Sequence, residues 1–129
     1  MIKVIAEAIV EKKGAALKIL KLDGIVDFCD CFIICSGGAS RQVRAVADNV
    51  TATLKEQKVL PNGVEGVGTD QWILIDYGDI IVHVFSHDAR AYYALDQLWV
   101  DAVEVDLSEI GITDEAALTS PAASLARAS

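Results

Sequence analysis

The chain has 129 residues, a formal net charge of −8, and a composition that is 53% hydrophobic. A chain of this length folds as one domain that buries roughly two-thirds of its unfolded surface, so it needs neither disulfides nor a metal for stability. The acidic excess disfavours nonspecific nucleic-acid binding, which draws on Lys and Arg, and it suits a basic protein as partner.

The N-terminal segment is predicted to form a helix rather than a targeting signal. Its apolar residues follow helical spacing: Ile2, Ile5, Ala6 and Ile9. The helix should end near Gly14, and Glu7 interrupts the apolar positions where a signal peptide needs a continuous run. No apolar stretch reaches membrane-spanning length, so we expect a cytoplasmic protein without membrane contact.

Two strands joined by a turn are predicted next. Residues 15–22 alternate in part, and residues 30–35 form the continuous apolar run that is typical of a buried strand. The three cysteines of the chain fall here: Cys29, Cys31 and Cys35. Their odd number and alternate spacing favour one strand face over a disulfide framework, and no fourth metal ligand lies near them. We interpret them as reduced, buried thiols and expect neither a metal nor a cofactor.

A glycine-rich link, Ser36–Gly37–Gly38, leads into a second predicted helix that covers residues 43–54 and has Ser40 as its N-cap. The backbone N–H groups of such a link can bind an anion. However, the chain has neither the P-loop pattern nor the dinucleotide-binding pattern, so the link is interpreted as a turn. Pro61 and several glycines follow the helix and predict an irregular loop.

The segment from Gln71 to Trp99 holds both tryptophans, all three tyrosines and both histidines. Strands at residues 72–76 and 80–85, joined by Tyr77–Gly78, are predicted to pair antiparallel. Both strands are apolar on both faces, which predicts central positions in a sheet covered by helices on both sides. Ser86 opens a third helix. Aromatic residues gathered in this way are typical of a surface that binds another macromolecule.

This segment contains two aspartates and two histidines whose roles have to be assigned. Asp76 and Asp79 flank the turn, where paired carboxylates either hold a divalent cation or bond to the backbone of the turn. No third carboxylate stands at compatible spacing, so we favour the turn interpretation. His83 is interpreted as a buried, hydrogen-bonded histidine, and His87 as an exposed one.

The pattern weakens beyond Trp99. Residues 102–105 predict a short edge strand, residues 106–115 are acidic, and residues 116–129 are rich in Ala and Ser. We therefore divide the chain into a domain at residues 1–105 and a tail at residues 106–129 that is expected to be partly disordered.

The segment from Trp72 to Phe85, together with Arg90, Tyr93 and Leu98–Trp99, resembles the signature of the ribosomal silencing factor family, also called Iojap-like. Residues 30–37, 41–48 and 61–66 are similar to the family's preceding strand, helix and loop. The resemblance spans about residues 5–102. It departs from the family at Ala39, where a Ser or Thr is expected to open the helix.

The resemblance implies an α/β fold, a single compact domain with a mixed β-sheet covered by helices and an architecture similar to nucleotidyltransferases. It implies no enzymatic activity. It also implies attachment to protein number fourteen of the large ribosomal subunit, which blocks joining to the small subunit when nutrients are short. The implied docking surface consists of Trp72, Ile73, Asp76, Tyr77, Asp79, Arg90 and Tyr93.

Three alternatives stay open. A large-subunit maturation factor would use the same surface, as the family's mitochondrial and chloroplast relatives suggest. A nucleotidyltransferase-like enzyme would hold phosphate at Ser36–Gly37 and Mg²⁺ at Asp76 and Asp79. A symmetric homodimer is compatible with either binding role.

Overall fold

The computed structural model describes residues 1–93 and 102–118. Its helices are α1 (Ile2–Glu11), α2 (Ser40–Glu56), α3 (His87–Tyr93) and α4 (Glu115–Leu118), with a 3₁₀ helix at Leu107–Ile110. Its strands are β1 (Ala15–Lys21), β2 (Cys31–Gly37), β3 (Gly63–Glu65), β4 (Trp72–Asp76), β5 (Ile80–Ser86) and β6 (Val103–Glu104). None of the helices in these ranges has the length and apolar character needed to cross a membrane.

The six described strands form one mixed sheet in the order β3-β4-β5-β2-β1-β6. The β2–β5 pair is parallel, and the other neighbours are antiparallel. A parallel pair needs a long crossover, which α2 provides between β2 and the later strands. The mixed sheet, the antiparallel β1–β2 pair and the β4–β5 hairpin confirm the predictions from sequence.

Helices α1 and α2 cover one face of the sheet and enclose the main core, which contains Ile5, Ile9, Val43, Val50, Ile33, Ile73, Val82 and Val84. The opposite face, here called the second face, carries a smaller cluster of Leu20, Leu22, Cys29, Phe32, Ile34, Phe85 and Ala89. Side chains alternate between these faces along each strand. The strong burial of β2 confirms the predicted buried strand, and the burial and position of β5 confirm its predicted central place in the sheet.

Strand β4 differs from the prediction that both its faces are covered. Ile73 and Ile75 are fully buried in the main core, whereas Trp72, Leu74 and Asp76 are only half-buried. The reason is the position of β4, which is next to the edge strand β3, where the second face has less cover than at the sheet centre.

Two local predictions are wrong in detail. Ala39, not Ser40, occupies the N-cap position of α2 and makes no side-chain cap bond. Cys31 and Cys35 share the main core, but Cys29 packs in the cluster on the second face. All three thiols are free and buried, and burial raises the pKa of Cys35 to about 12.

The segment after β6 returns to the domain. Leu107, Ile112 and Ala117 are buried in the main core beside α1 and the sheet. The boundary at residue 105 stays a prediction, although these three contacts show that residues 107–117 contribute to the core. The predicted disorder of the last residues and the predicted helix through Leu98–Trp99 lie outside the described residues, apart from the part of the helix that α3 forms.

Candidate docking surface

The side chains of β4 that face away from the main core form a narrow surface, here called the β4 strip: Trp72, Leu74 and Asp76. The strip is half-buried along its whole length. Leu74 was not among the predicted site residues, although its alternation with Trp72 and Asp76 was visible in the sequence. The β4 strip therefore presents an aromatic, an aliphatic and an acidic side chain in one row.

The indole of Trp72 is held on several sides. Its Nε1 donates a hydrogen bond of 3.1 Å to Nδ1 of His83. Its ring lies 4.9 Å from the ring of Phe85, in a stacked arrangement, and 4.7 Å from the ring of Tyr93. Offset and tilted aromatic pairs at these distances are attractive beyond the area they bury. Trp72 is thus fixed before any partner arrives.

His83 is buried, as predicted, and its surroundings explain its protonation state. Burial lowers the pKa of His83 to about 4, so the ring is neutral at pH 7. Because Nδ1 accepts the bond from Trp72, the remaining proton of the neutral ring is on Nε2. Phe32 meets the ring edge-on at 4.5 Å. His83 acts as an acceptor that orients the indole.

Ser86 connects the start of β4 to the start of α3. Its hydroxyl donates to Oε1 of Gln71 at 2.8 Å and accepts from the N–H of Ala89 at 3.1 Å. Its own N–H donates to the carbonyl of Gln71 at 2.8 Å. The prediction that Ser86 opens the helix is confirmed. The capped helix brings Tyr93, which is 47% exposed, against Trp72.

The turn at the other end of β4 is built by Asp76 and Gly78. Oδ1 of Asp76 accepts a bond of 2.7 Å from the N–H of Gly78, whose φ of 87° lies in the region that favours glycine. The carboxylate of Asp79 is exposed on the far side of the turn. In the described part of the chain, no group of three His, Cys, Asp or Glu side chains could hold a metal ion. Asp76 is therefore a turn residue as well as a surface carboxylate.

A family model described as "Ribosomal silencing factor during starvation" matches residues 1–129. The chain belongs to the ribosomal silencing factor family. The silencing factor of Halalkalibacterium halodurans is 37% identical over 110 residues, which cover 85% of this chain and 94% of that protein. A crystal structure of a Chromobacterium violaceum protein aligns with a TM-score of 0.73 at 35% identity, over 75% of this chain and 81% of that one.

A more distant relative carries a different name. The mouse protein "Mitochondrial assembly of ribosomal large subunit protein 1" is 28% identical over 75 residues, which cover 56% of this chain and 33% of the mouse protein. Together these matches confirm the resemblance that the hairpin residues indicated.

Two of the predicted docking residues do not reach the surface. Ile73 is fully buried because it alternates with Trp72 and faces the main core. Arg90 is 2% exposed, and its Nη1 donates a bond of 2.8 Å to the carbonyl of Ala16. Both side chains are covered in the described conformation, and their direct contact with a partner stays a prediction.

Tyr77 lies on the other side of the sheet from Trp72. Its ring is partly buried against the main core, and its hydroxyl is enclosed without a hydrogen-bond partner among the described residues. Burial raises the pKa of this hydroxyl. The structure therefore brings Trp72, Asp76 and Tyr93 onto the second face, places Asp79 at its edge, and separates Tyr77 from them.

The glycine-rich link lies at the opposite end of the sheet from the Asp76–Asp79 turn. The parallel register pairs Gly37 with Ser86 and Cys31 with Ile80, six residues apart, which corresponds to about 20 Å of strand. The N–H of Gly38 already donates to Oε1 of Gln42 at 2.7 Å. A phosphate held at this link and a metal held at the turn would therefore not meet.

The cleft beside the link has a volume of about 260 Å³ and is bordered by Ser40, Gln71 and His87, among others. His87 is partly buried here, whereas the sequence predicted an exposed side chain. Burial lowers its pKa, and the nearby carboxylate of Asp88 raises it in part.

Proposed function

We propose that this protein is a non-catalytic ribosome-associated factor of the cytoplasm. It binds protein number fourteen of the large ribosomal subunit through the β4 strip and the adjoining turn, and it sterically prevents association with the small subunit. Translation is thereby repressed when nutrients are limiting. The observation that supports this proposal most directly is the immobilised, half-buried Trp72 at one end of the β4 strip, with Asp76 at the other end and the exposed Asp79 in the turn beyond it, in a member of the silencing factor family.

Preorganisation supports a docking role for Trp72. The indole of Trp72 loses little conformational freedom on binding, because His83, Phe85 and Tyr93 already fix it. Truncation of such an aromatic anchor commonly costs about 2 kcal/mol or more of binding free energy. Steric exclusion of the small subunit needs no chemistry beyond a tight dock at the right position.

Sedimentation of purified large and small subunits at graded Mg²⁺ tests the proposal. Wild-type protein is expected to travel with the large subunit and to reduce the amount of joined ribosomes, whereas Trp72→Ala loses both effects. Leu118→Ala on α4 is the matched control, because Leu118 is 53% exposed and α4 packs on the main-core side. Tyr93→Ala serves as a second variant if Trp72→Ala is poorly folded.

The same measurement separates the second candidate, a large-subunit maturation factor, which is favoured by the name of the mouse relative. Such a factor binds incomplete large subunits and leaves joining of mature subunits unchanged. A protein that binds mature large subunits and still permits joining at saturation contradicts silencing, and one that binds no ribosomal particle contradicts both roles.

Self-association is a separate proposal. Leu60, Val64 and Val67 are each at least 41% exposed around the edge strand β3, and such a surface is compatible with a symmetric dimer. Sedimentation equilibrium of the wild type and of Val64→Asp measures the mass of each species in solution. A dimer through β3 is expected to dissociate in the variant.

A further inference from the structure

The loop between β1 and β2, residues 22–30, is hydrogen-bonded to the Asp76–Asp79 turn. The carbonyl of Asp79 accepts bonds from the N–H of Asp30 at 2.8 Å and from that of Cys31 at 3.1 Å. At its base, the loop is closed by a bond of 2.8 Å from the N–H of Leu22 to the carbonyl of Asp30. Turn and loop are therefore one connected piece of surface.

This loop exposes two large apolar side chains. Phe28 is 60% exposed and Ile25 is 44% exposed, although Cys29 beside them is buried in the cluster on the second face. The ring of Phe28 lies 6.1 Å from that of Phe32, which in turn contacts the ring of His83. Phe28 thus continues the row of rings that starts at Trp72, and exposed apolar groups next to a binding surface commonly belong to it.

All charged side chains of the loop that carries Phe28 are negative. Asp23, Asp27 and Asp30 are exposed, and residues 22–30 contain no cation. Asp76 is also close, because its charge and that of Asp30 add to burial in raising the pKa of the Cys29 thiol. A face that is complementary to this loop needs Lys or Arg around an apolar pocket, and the phosphates of RNA would be repelled.

We propose that the loop at residues 22–30 is a second part of the docking surface. It inserts Phe28 into an apolar pocket of a basic protein face, and Asp27 and Asp30 pair with Lys or Arg at the rim of that pocket. The inference rests on the proposed function, since the occupant is the same large-subunit protein that the β4 strip binds. It adds a contact that the hairpin motif does not contain.

Affinity measurements with the full chain test this inference, with purified large subunits and isolated protein number fourteen as probes. Phe28→Ala is expected to weaken binding to both probes by about tenfold or more, as expected for an interface anchor. Its melting temperature is expected to stay at the wild-type value, because the side chain is mostly exposed. Leu118→Ala is the control for an exposed apolar truncation.

Charge reversal provides an independent readout. Asp27→Lys is expected to slow association and to reduce the dependence of the affinity on salt, since rim charges act mainly on the association rate. Glu11→Lys at the end of α1 has the same charge change at the opposite end of the sheet, near the glycine-rich link, and is expected to leave both quantities unchanged.

The two proposals fail in different ways. If Trp72→Ala weakens binding and Phe28→Ala does not, the loop is not part of the interface, while the proposed function stands. If the wild type does not bind large subunits, the proposed function fails and this inference with it. Preferential binding to protein-free ribosomal RNA, weakened by Phe28→Ala, overturns the assignment of a basic protein as occupant.

Discussion

The two faces of the sheet are built from different side chains for different purposes. The face under α1 and α2 is lined by aliphatic residues with no exposure, such as Ile33, Ile73 and Val84. The second face carries Trp72 and His83, which are joined by a directed hydrogen bond and packed against aromatic rings. One face stabilises the domain, and the other holds in place the side chain that we propose as the binding anchor. Adjacent residues of β4 therefore serve separable functions.

The largest effect is expected when adjacent residues of β4 are compared for their roles in stability and in binding. Ile73→Ala removes a fully buried side chain and is expected to lower the free energy of unfolding by about 2–5 kcal/mol, because a cavity remains in the main core. Its binding per folded molecule should stay close to the wild type. Urea denaturation measures the first effect, and titration against large subunits at a folded fraction known from circular dichroism measures the second. Loss of binding by the folded variant would contradict separable faces.

The pH dependence of stability tests the buried histidine of the second face. The pKa of His83 is about 4 in the fold, below its ordinary value of 6.5. Between these values the unfolded chain binds more protons, so the free energy of unfolding falls as pH is lowered from 6.5 to 4, by up to about 3 kcal/mol. Above pH 6.5 the contribution of His83 is constant.

Replacement of His83 identifies the group responsible. His83→Asn is expected to flatten the loss of stability between pH 6.5 and 4 in urea denaturation curves, whereas His87→Asn, at a partly buried site, changes it less. An unchanged slope in His83→Asn would show that another group carries the dependence.

A smaller effect is expected from Trp72→Phe, which keeps an aromatic ring and removes the indole N–H. His83 Nδ1 then loses its donor, at an expected cost of about 1–2 kcal/mol in unfolding free energy. Binding to large subunits should weaken less than in Trp72→Ala, because part of the ring contact remains. Equal loss of affinity in both variants would mean that the orientation of the indole, rather than its area, determines docking.

The smallest effect concerns the turn. Gly78→Ala places a side chain at a φ of 87° and is expected to destabilise the protein by about 1 kcal/mol. Gly63→Ala in β3 is the matched control, because an added Cβ there meets no atom within 4 Å. Thermal unfolding of both variants measures the difference, and identical melting temperatures would contradict a strained turn.

Local sequence patterns predicted the helices and strands better than they predicted which parts of the chain each element packs against. The strands at residues 72–76 and 80–85, the two helical stripes and the cap at Ser86 follow from spacing and from single residue types. Spacing does not predict which side of the sheet Tyr77 and Arg90 face. That side depends on where the strand ends and on how α3 packs against distant residues such as Ala16.

The same limit applies to the candidate site. Leu74 was predictable from its alternation with Trp72, since both lie on one face of a short strand. The proximity of Phe28 to the turn was not predictable, because it requires the parallel pairing of β2 with β5, and α2, β3 and β4 lie between these two strands in the sequence. Non-local strand pairing carries no signal in the residues between the strands.

The carbonyl of Asp79 also determines how force passes through the molecule. It holds the backbone of Asp30 and Cys31, and Cys31 begins the central strand β2. Under the proposed function, a small subunit that presses on the bound factor loads the turn, and the two bonds to the carbonyl of Asp79 pass that force to the central strand β2. Because the turn is bonded to β2, the proposed docking surface is expected not to peel away as a separate hairpin, and the factor is expected to detach as an intact body.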